Sequence, residues 1–146
     1  MKPIWKNQFT LEDLQKRCED TLVSHLGIVF TEIGSNYLVA EMPIESRHLQ
    51  SMRILHGGAS AAFAETIASV AASYAIDLKT RECVGLDLNI NHLKPVHTGK
   101  LIAKTFPYHV GRSTQVWSIE IRDETGQLIA ISRLTVANLD KQYYAK

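Results

Sequence analysis

One carboxylate, Glu65, stands in a run from Ala59 to Ile76 that carries no other charge, no glycine and no proline. Taking an ionised carboxylate out of water is costly unless it is paired or hydrogen-bonded, so its place within an apolar segment asks for a reason. Two readings are open. The side chain faces solvent at a gap or pairs with an arginine, or it is a general base or nucleophile. Gly57-Gly58 bears on the second reading, because the first amides of a helix lack intrahelical partners and carry the positive end of the dipole. Glycines there let another molecule approach, which makes an oxyanion site, although such a pair is also common as plain turn chemistry. Ser69 lies four residues after Glu65, on the same helical face, where it can hold a water or orient the carboxylate. Gly57 and Glu65 are eight residues apart, or ~12 Å along a helix axis, which is long for one small site. A second copy of the chain, setting its helix start opposite this carboxylate, would remove the difficulty.

The elements that must position these residues can be read from the rest of the chain. Good helix formers dominate Ala59 to Ile76, so one helix of about five turns is expected. Its apolar residues (among them Ala61, Phe63, Ile67, Val70 and Tyr74) cover every side, which predicts burial all round. Small side chains let a sheet wrap closely, giving an α+β fold with one long helix enclosed by a curved antiparallel sheet. Thr10 followed by Asp13 resembles a capping box, and Leu11, Leu14 and Cys18 continue it at helical spacing. Leu26 to Met42 reads as a hairpin broken at Gly34-Ser35-Asn36, and a polar loop runs from Pro43 to Ile54. Further strands are predicted over Cys83 to Leu93, Lys100 to Val110, Ser113 to Arg122 and Gln127 to Leu139, the last three paired antiparallel through short connections.

With 146 residues, one domain over 1–146 is expected, and no linker or repeat interrupts it. Net charge is +1, so no strong field exists to gather nucleic acid or an anionic membrane, and any bound anion must be met locally. The apolar run after Met1 is too short for a signal peptide, and a cytoplasmic location is expected. Cys18 and Cys83 have no CxxC partner and read as free packing thiols. His25, His48, His97 and His109 form no short metal pattern, so no metal is expected. Trp5 and Trp117 read as packing anchors.

Together, Gln50, Leu55-His56-Gly57-Gly58-Ala59-Ser60, Ala64-Glu65-Thr66, Ser69 and Asn89-Ile90-Asn91-His92-Leu93-Lys94-Pro95 resemble the PaaI-type hot-dog thioesterases over nearly the whole chain. The likeness is greatest to the subgroup holding the enterobactin proofreading and dihydroxynaphthoyl-CoA thioesterases, down to Ile4-Trp5-Lys6 and Val110-Gly111-Arg112. The resemblance implies a hot-dog fold with two sites at a homodimer interface, and dimers that pair into a homotetramer. It also implies hydrolysis of acyl-CoA or acyl-carrier-protein thioesters, with CoA as part of the substrate and no separate cofactor. It places the catalytic carboxylate on Glu65, the carbonyl-polarising amide on Gly57, the assisting glutamine on Gln50 and the positioning hydroxyl on Ser69. His56 and His92 fall on histidines lining the site.

For the CoA phosphates the resemblance implies basic surface residues. Gly111-Arg112-Ser113 is the best local candidate, because a glycine turn followed by a cation and a hydroxyl can hold a phosphate; Lys94 is a second. Each can equally be an ordinary solvated side chain. Where the subgroup shows Pro-Phe-Gly after its glutamine, this chain has Ser51-Met52-Arg53, which puts any particular aryl substrate in doubt; Arg53 would favour an acidic acyl group or simply point into solvent. The rival of a different class is a non-catalytic acyl-CoA binding or sensing module. A hot-dog dehydratase fits less well, for want of the Asp or His set those enzymes use.

Overall fold

The computed structural model describes residues 3–141. Helix α1 (Leu11–Arg17) begins with the expected reciprocal cap: the Thr10 hydroxyl accepts from the Asp13 amide at 3.1 Å, and Asp13 Oδ2 accepts from the Thr10 amide at 2.8 Å. A one-turn helix, α2 (Leu22–His25), repeats the device with Thr21 and Ser24. Four residues are too few to show a 3.6-residue period, so no pattern announced it.

Strands β1 (Val29–Ile33) and β2 (Leu38–Pro43) form the expected antiparallel hairpin. After α3 (Gly57–Tyr74) come β3 (Arg81–His92), β4 (Lys100–Val110), β5 (Thr114–Asp123) and β6 (Leu128–Asp140). They build one six-stranded sheet in the order β1-β2-β4-β5-β6-β3, antiparallel throughout. β4, β5 and β6 pair in sequence as expected. β3 crosses to the far side of β6 and becomes an edge strand.

Helix α3 packs against β2 to β6, so the sheet wraps it on one side. Phe63, Ala64, Ile67, Ala68, Ala71 and Ala72 are fully buried there, and large apolar side chains such as Phe63 and Ile67 each contribute ~1.5–3 kcal/mol of transfer free energy. The alanines let the sheet come close. Trp117 is buried in β5, with Trp5 stacked on it at 6.4 Å between ring centroids. Cys18 and Cys83 are free thiols.

Two expectations about the long helix are corrected. It runs two residues earlier, because His56 caps its start and the N-terminal segment takes the carbonyls at and just past its end: the Lys6 amide donates to Tyr74 O at 2.9 Å, and Asn7 Nδ2 to Tyr74 O at 3.3 Å and to Ile76 O at 2.6 Å. Nor is it buried all round within one chain. Ala61, Ala62, Thr66, Ser69 and Val70 are half-buried and Glu65 is exposed, because the sheet ends at β3 and leaves that side uncovered. Among the described residues no helix is long and apolar enough to cross a membrane.

Candidate active site

The start of α3 is built on a buried histidine. His48 Nδ1 accepts from the Glu45 amide at 3.0 Å and its Nε2 lies 2.9 Å from Leu26 O, so the bond network assigns the Nε2–H tautomer. The His48 carbonyl in turn accepts from the His56 amide at 2.8 Å. His56 Nδ1 takes the Gly58 amide at 2.8 Å. The Gly57 amide forms no bond among the described residues, so it keeps a donor at the positive end of an 18-residue helix. A cavity of about 280 Å³ opens in front of it, lined by Gln50, Leu55, Gly57, Ser60, His92 and Lys94. A Cβ on Gly57 would stand 3.0 Å from His92 Nε2, so glycine leaves room for the imidazole beside the amide. Gln50 sits at the foot of a tight turn in which its carbonyl accepts from the Arg53 amide at 2.8 Å. Arg53 itself is exposed and holds a left-handed φ of 60°, the conformation that favours glycine.

Glu65 is two turns further along. It lines a separate groove of about 340 Å³ with Leu22, Val23, Thr66, Ser69 and Val70. Ser69 therefore shares the groove with the carboxylate, as its spacing predicts. The side of the carboxylate turned toward the sheet meets β3 at Gly85: a Cβ there would lie 2.9 Å from Glu65 Oε1.

Gly57, Ala61, Glu65, Ser69 and Ser73 form a row at intervals of four along the face of α3 that meets β3. His92 stands over Gly57, Gly85 under Glu65, and Cys83 Sγ lies 3.3 Å from Ser73 Oγ. Helix and strand run antiparallel past each other. A bulge between Gly85 and Asp87 leaves Leu86 without an opposite residue on β6 and shifts the alternation of side chains by one. Cys83 and Gly85 face the helix before the bulge, and Leu88, Ile90 and His92 face inward after it. The bulge thus lets one strand serve both the carboxylate and the helix start. Burial pushes the Cys83 thiol up, so it stays protonated at neutral pH and is a poor nucleophile.

The structure brings Gln50, Gly57, His92 and Lys94 together and places Glu65 with Ser69, but within one chain the two groups occupy separate cavities. His56 acts first as the helix cap and remains exposed. Gly111, Arg112 and Ser113 form the β4–β5 turn at the other end of α3, where Gly111 lines a hollow with Ala75, Asp77 and Arg81. The turn is braced from inside: Asn138 Nδ2 donates to Gly111 O at 2.9 Å and Arg81 Nη1 to Arg112 O at 2.6 Å. Arg112 and Ser113 are exposed. Among the described residues no three His, Cys, Asp or Glu side chains converge as a metal-binding group.

Two residues of the site were not singled out by sequence reasoning. Ser60 is 1% exposed, and its Oγ lies 3.0 Å from Gly57 O and 3.3 Å from His92 Nδ1. It ties the imidazole to the helix start, and the only sequence signal was its place two residues after the glycine pair. Gly85 left a clearer trace, as an isolated glycine inside a strand pattern, which marks a bulge or a close approach.

This arrangement has counterparts among known proteins. The profile of the thioesterase superfamily matches residues 52–130, more than half of the chain, from the loop before α3 into β6. A Haemophilus influenzae protein with an esterase name is 46% identical over 134 residues, covering 92% of this chain and 96% of its own. A Vibrio cholerae protein, also named an esterase, is 46% identical over 134 residues, with 92% and 89% covered. The crystal structure of a Haemophilus influenzae thioesterase superposes with a TM-score of 0.94 at 43% identity, covering 98% of this chain and 99% of that one. A variant of a Pseudomonas aeruginosa thioesterase superposes at 0.92 with 35% identity, covering 94% and 99%. With a helix laid across a six-stranded antiparallel sheet, a matching profile and relatives alike along almost their whole length, this chain belongs to the thioesterase superfamily and has its hot-dog fold.

Proposed function

We propose that the chain hydrolyses acyl-CoA thioesters, or their acyl-carrier-protein equivalents, to a free acid and a thiol, with Glu65 as the catalytic carboxylate and two chains sharing each site. One observation carries this reading. A free amide at Gly57 and an exposed carboxylate at Glu65 ride on one face of α3 beside β3, an edge strand with no neighbour on its outer side among the described residues. Such an edge is a template for pairing. A second copy running antiparallel along it, in a two-fold arrangement, sets each Gly57 opposite the other chain's Glu65 and puts two sites in one interface.

In that arrangement the thioester carbonyl oxygen, which gains negative charge on attack, receives the Gly57 N–H with the Gln50 side chain assisting. Such preorganised donors contribute about 2.7–4 kcal/mol to the transition state. Glu65 removes a proton from an attacking water, or attacks the carbonyl carbon itself to form an anhydride that water then opens. By either route the C–S bond breaks and the thiolate leaves to take up a proton. Ser69 positions the water or the carboxylate, and His56 and His92 line the substrate. Two-fold pairing also carries the Gly111-Arg112-Ser113 turn toward the other chain's helix start, where it and Lys94 meet the CoA phosphates. These groups suffice for hydrolysis, so CoA enters as substrate and no separate cofactor is invoked. Within the superfamily the motifs favour the PaaI-type subgroup, with paired dimers as a tetramer in the cytoplasm.

Relatives support the choice of residues. A Staphylococcus aureus thioesterase, 33% and 32% identical in its two structures, was solved as a Glu-to-Ala and as a Gln-to-Ala variant at positions fifteen residues apart. Gln50 and Glu65 have the same separation. The test is release of CoA from benzoyl, phenylacetyl and medium-chain thioesters, with sedimentation to read the assembly. Glu65→Gln should lower kcat by about 10²–10⁴-fold. Wild-type inactivity across the panel, full activity in Glu65→Gln, or an active monomer would each defeat the reading, the first in favour of a binding module.

A further inference from the structure

Gly85 has no conformational reason to be glycine. Its φ lies outside the left-handed region, and β3 is otherwise regular on both sides of the bulge. Glycine inside a strand weakens it, by roughly 0.5–1 kcal/mol relative to alanine. Space is the remaining explanation, and the space has one close occupant. A Cβ on Gly85 would meet Glu65 Oε1 at 2.9 Å, with Glu65 Cδ and Leu134 Cδ1 next at 4.0 Å.

We propose that Gly85 is a positioning residue: the gap left by its missing side chain seats the Glu65 carboxylate and fixes how far it reaches from α3. The inference rests on the catalytic role proposed for Glu65. A side-chain oxygen touching a Cβ keeps about 3.4 Å, so alanine at this position displaces Oε1 by about half an ångström. The carboxylate is exposed and lies at the end of a flexible side chain, so the fold accommodates the shift while the reacting atom moves. A misplacement of ~1 Å costs about 10²-fold in rate, and half of that on a logarithmic scale is about tenfold. The bulge next to Gly85 serves the same end, since it holds this point of the strand against Glu65 while keeping His92 over Gly57.

The test compares Gly85→Ala, Glu65→Gln, Glu65→Asp and the Gly85→Ala/Glu65→Asp double variant in the assembled enzyme, with kcat, KM and Tm for each. Gly85→Ala should lose about tenfold in kcat, keep KM within about twofold and melt no lower than wild type. Aspartate withdraws the carboxylate by one methylene, so Gly85→Ala should cost markedly less in the Glu65→Asp background. If Glu65→Gln kills activity while Gly85→Ala keeps full kcat, the positioning role is wrong and the carboxylate's role stands. An equal loss in both backgrounds, or a loss that tracks a fall in Tm, marks Gly85 as merely structural and also overturns the proposal. Full activity in Glu65→Gln overturns the proposal together with the reading beneath it.

Discussion

Replacing Gly57 by alanine should raise stability and lower activity in the same molecule. Gly57 is the first residue of α3 and has no left-handed φ. Alanine restricts the unfolded chain and suits a helix better, which contributes about 0.4–1 kcal/mol. Against that gain stands one contact: the new methyl carbon would lie 3.0 Å from His92 Nε2, with Cε1 and Cδ2 at 3.4 and 3.5 Å. The imidazole is exposed and held through Ser60 at 3.3 Å, so it yields by a few tenths of an ångström and most of the gain survives. A net change of ~0.5 kcal/mol raises Tm by about 1–2 °C in a chain of this size. Activity moves the other way, because the methyl group and the displaced His92 ring crowd the thioester's approach to the free amide. Losing one oxyanion donor costs about 10²–10³ in kcat. Differential scanning fluorimetry and steady-state kinetics on the same preparation decide it. A Gly57→Ala enzyme with kcat within threefold of wild type would refute the assignment of that amide to the thioester oxygen, whatever its Tm.

Two further predictions concern the frame. His48→Ala removes two hydrogen bonds from a fully buried ring and opens a cavity beneath the start of α3; it should cost about 2–4 kcal/mol, read by urea denaturation. At the β5–β6 turn Asp123 Oδ1 accepts from Thr125 Oγ1, the Thr125 amide and the Gln127 amide, and the Thr125 hydroxyl bond chiefly holds the carboxyl below its ordinary range. A folded pKa below the unfolded one contributes stability above the unfolded value and loses it as pH falls through the folded one. Asp123→Ala should therefore melt below wild type at pH 7, and the gap should close as acid protonates the wild-type carboxyl.

Local signals were read correctly wherever one element suffices to express them. The Thr10 box, the break at Gly34–Asn36 and the full extent of β4 all follow from turn chemistry, capping and alternation, which act over a few residues. Elements that depend on partners far along the chain were less legible. α2 is too short for a period, and the limits of α3 moved because His56, Lys6 and Asn7 take its terminal groups. The half-covered face of α3 could not be foreseen either, since an alanine-rich helix looks the same whether a sheet surrounds it or stops at an edge. Residues of the site divide in the same way. Glu65 was conspicuous because a charge in an apolar helix is expensive, whereas Ser60 and Gly85 matter only through what lies across from them.

By itself the order of residues determined that a carboxylate would stand four residues before a hydroxyl and two turns beyond a glycine-flanked helix start, because helical geometry is local and its spacing is invariant. Only the tertiary structure decided that β3 would leave its sequence neighbours, pair with β6 at the sheet's edge and bulge at Gly85. Strand order and register follow from which faces bury together across long loops, and that choice is settled by the whole core at once. It set the carboxylate beside an open strand edge, where a second chain can reach it.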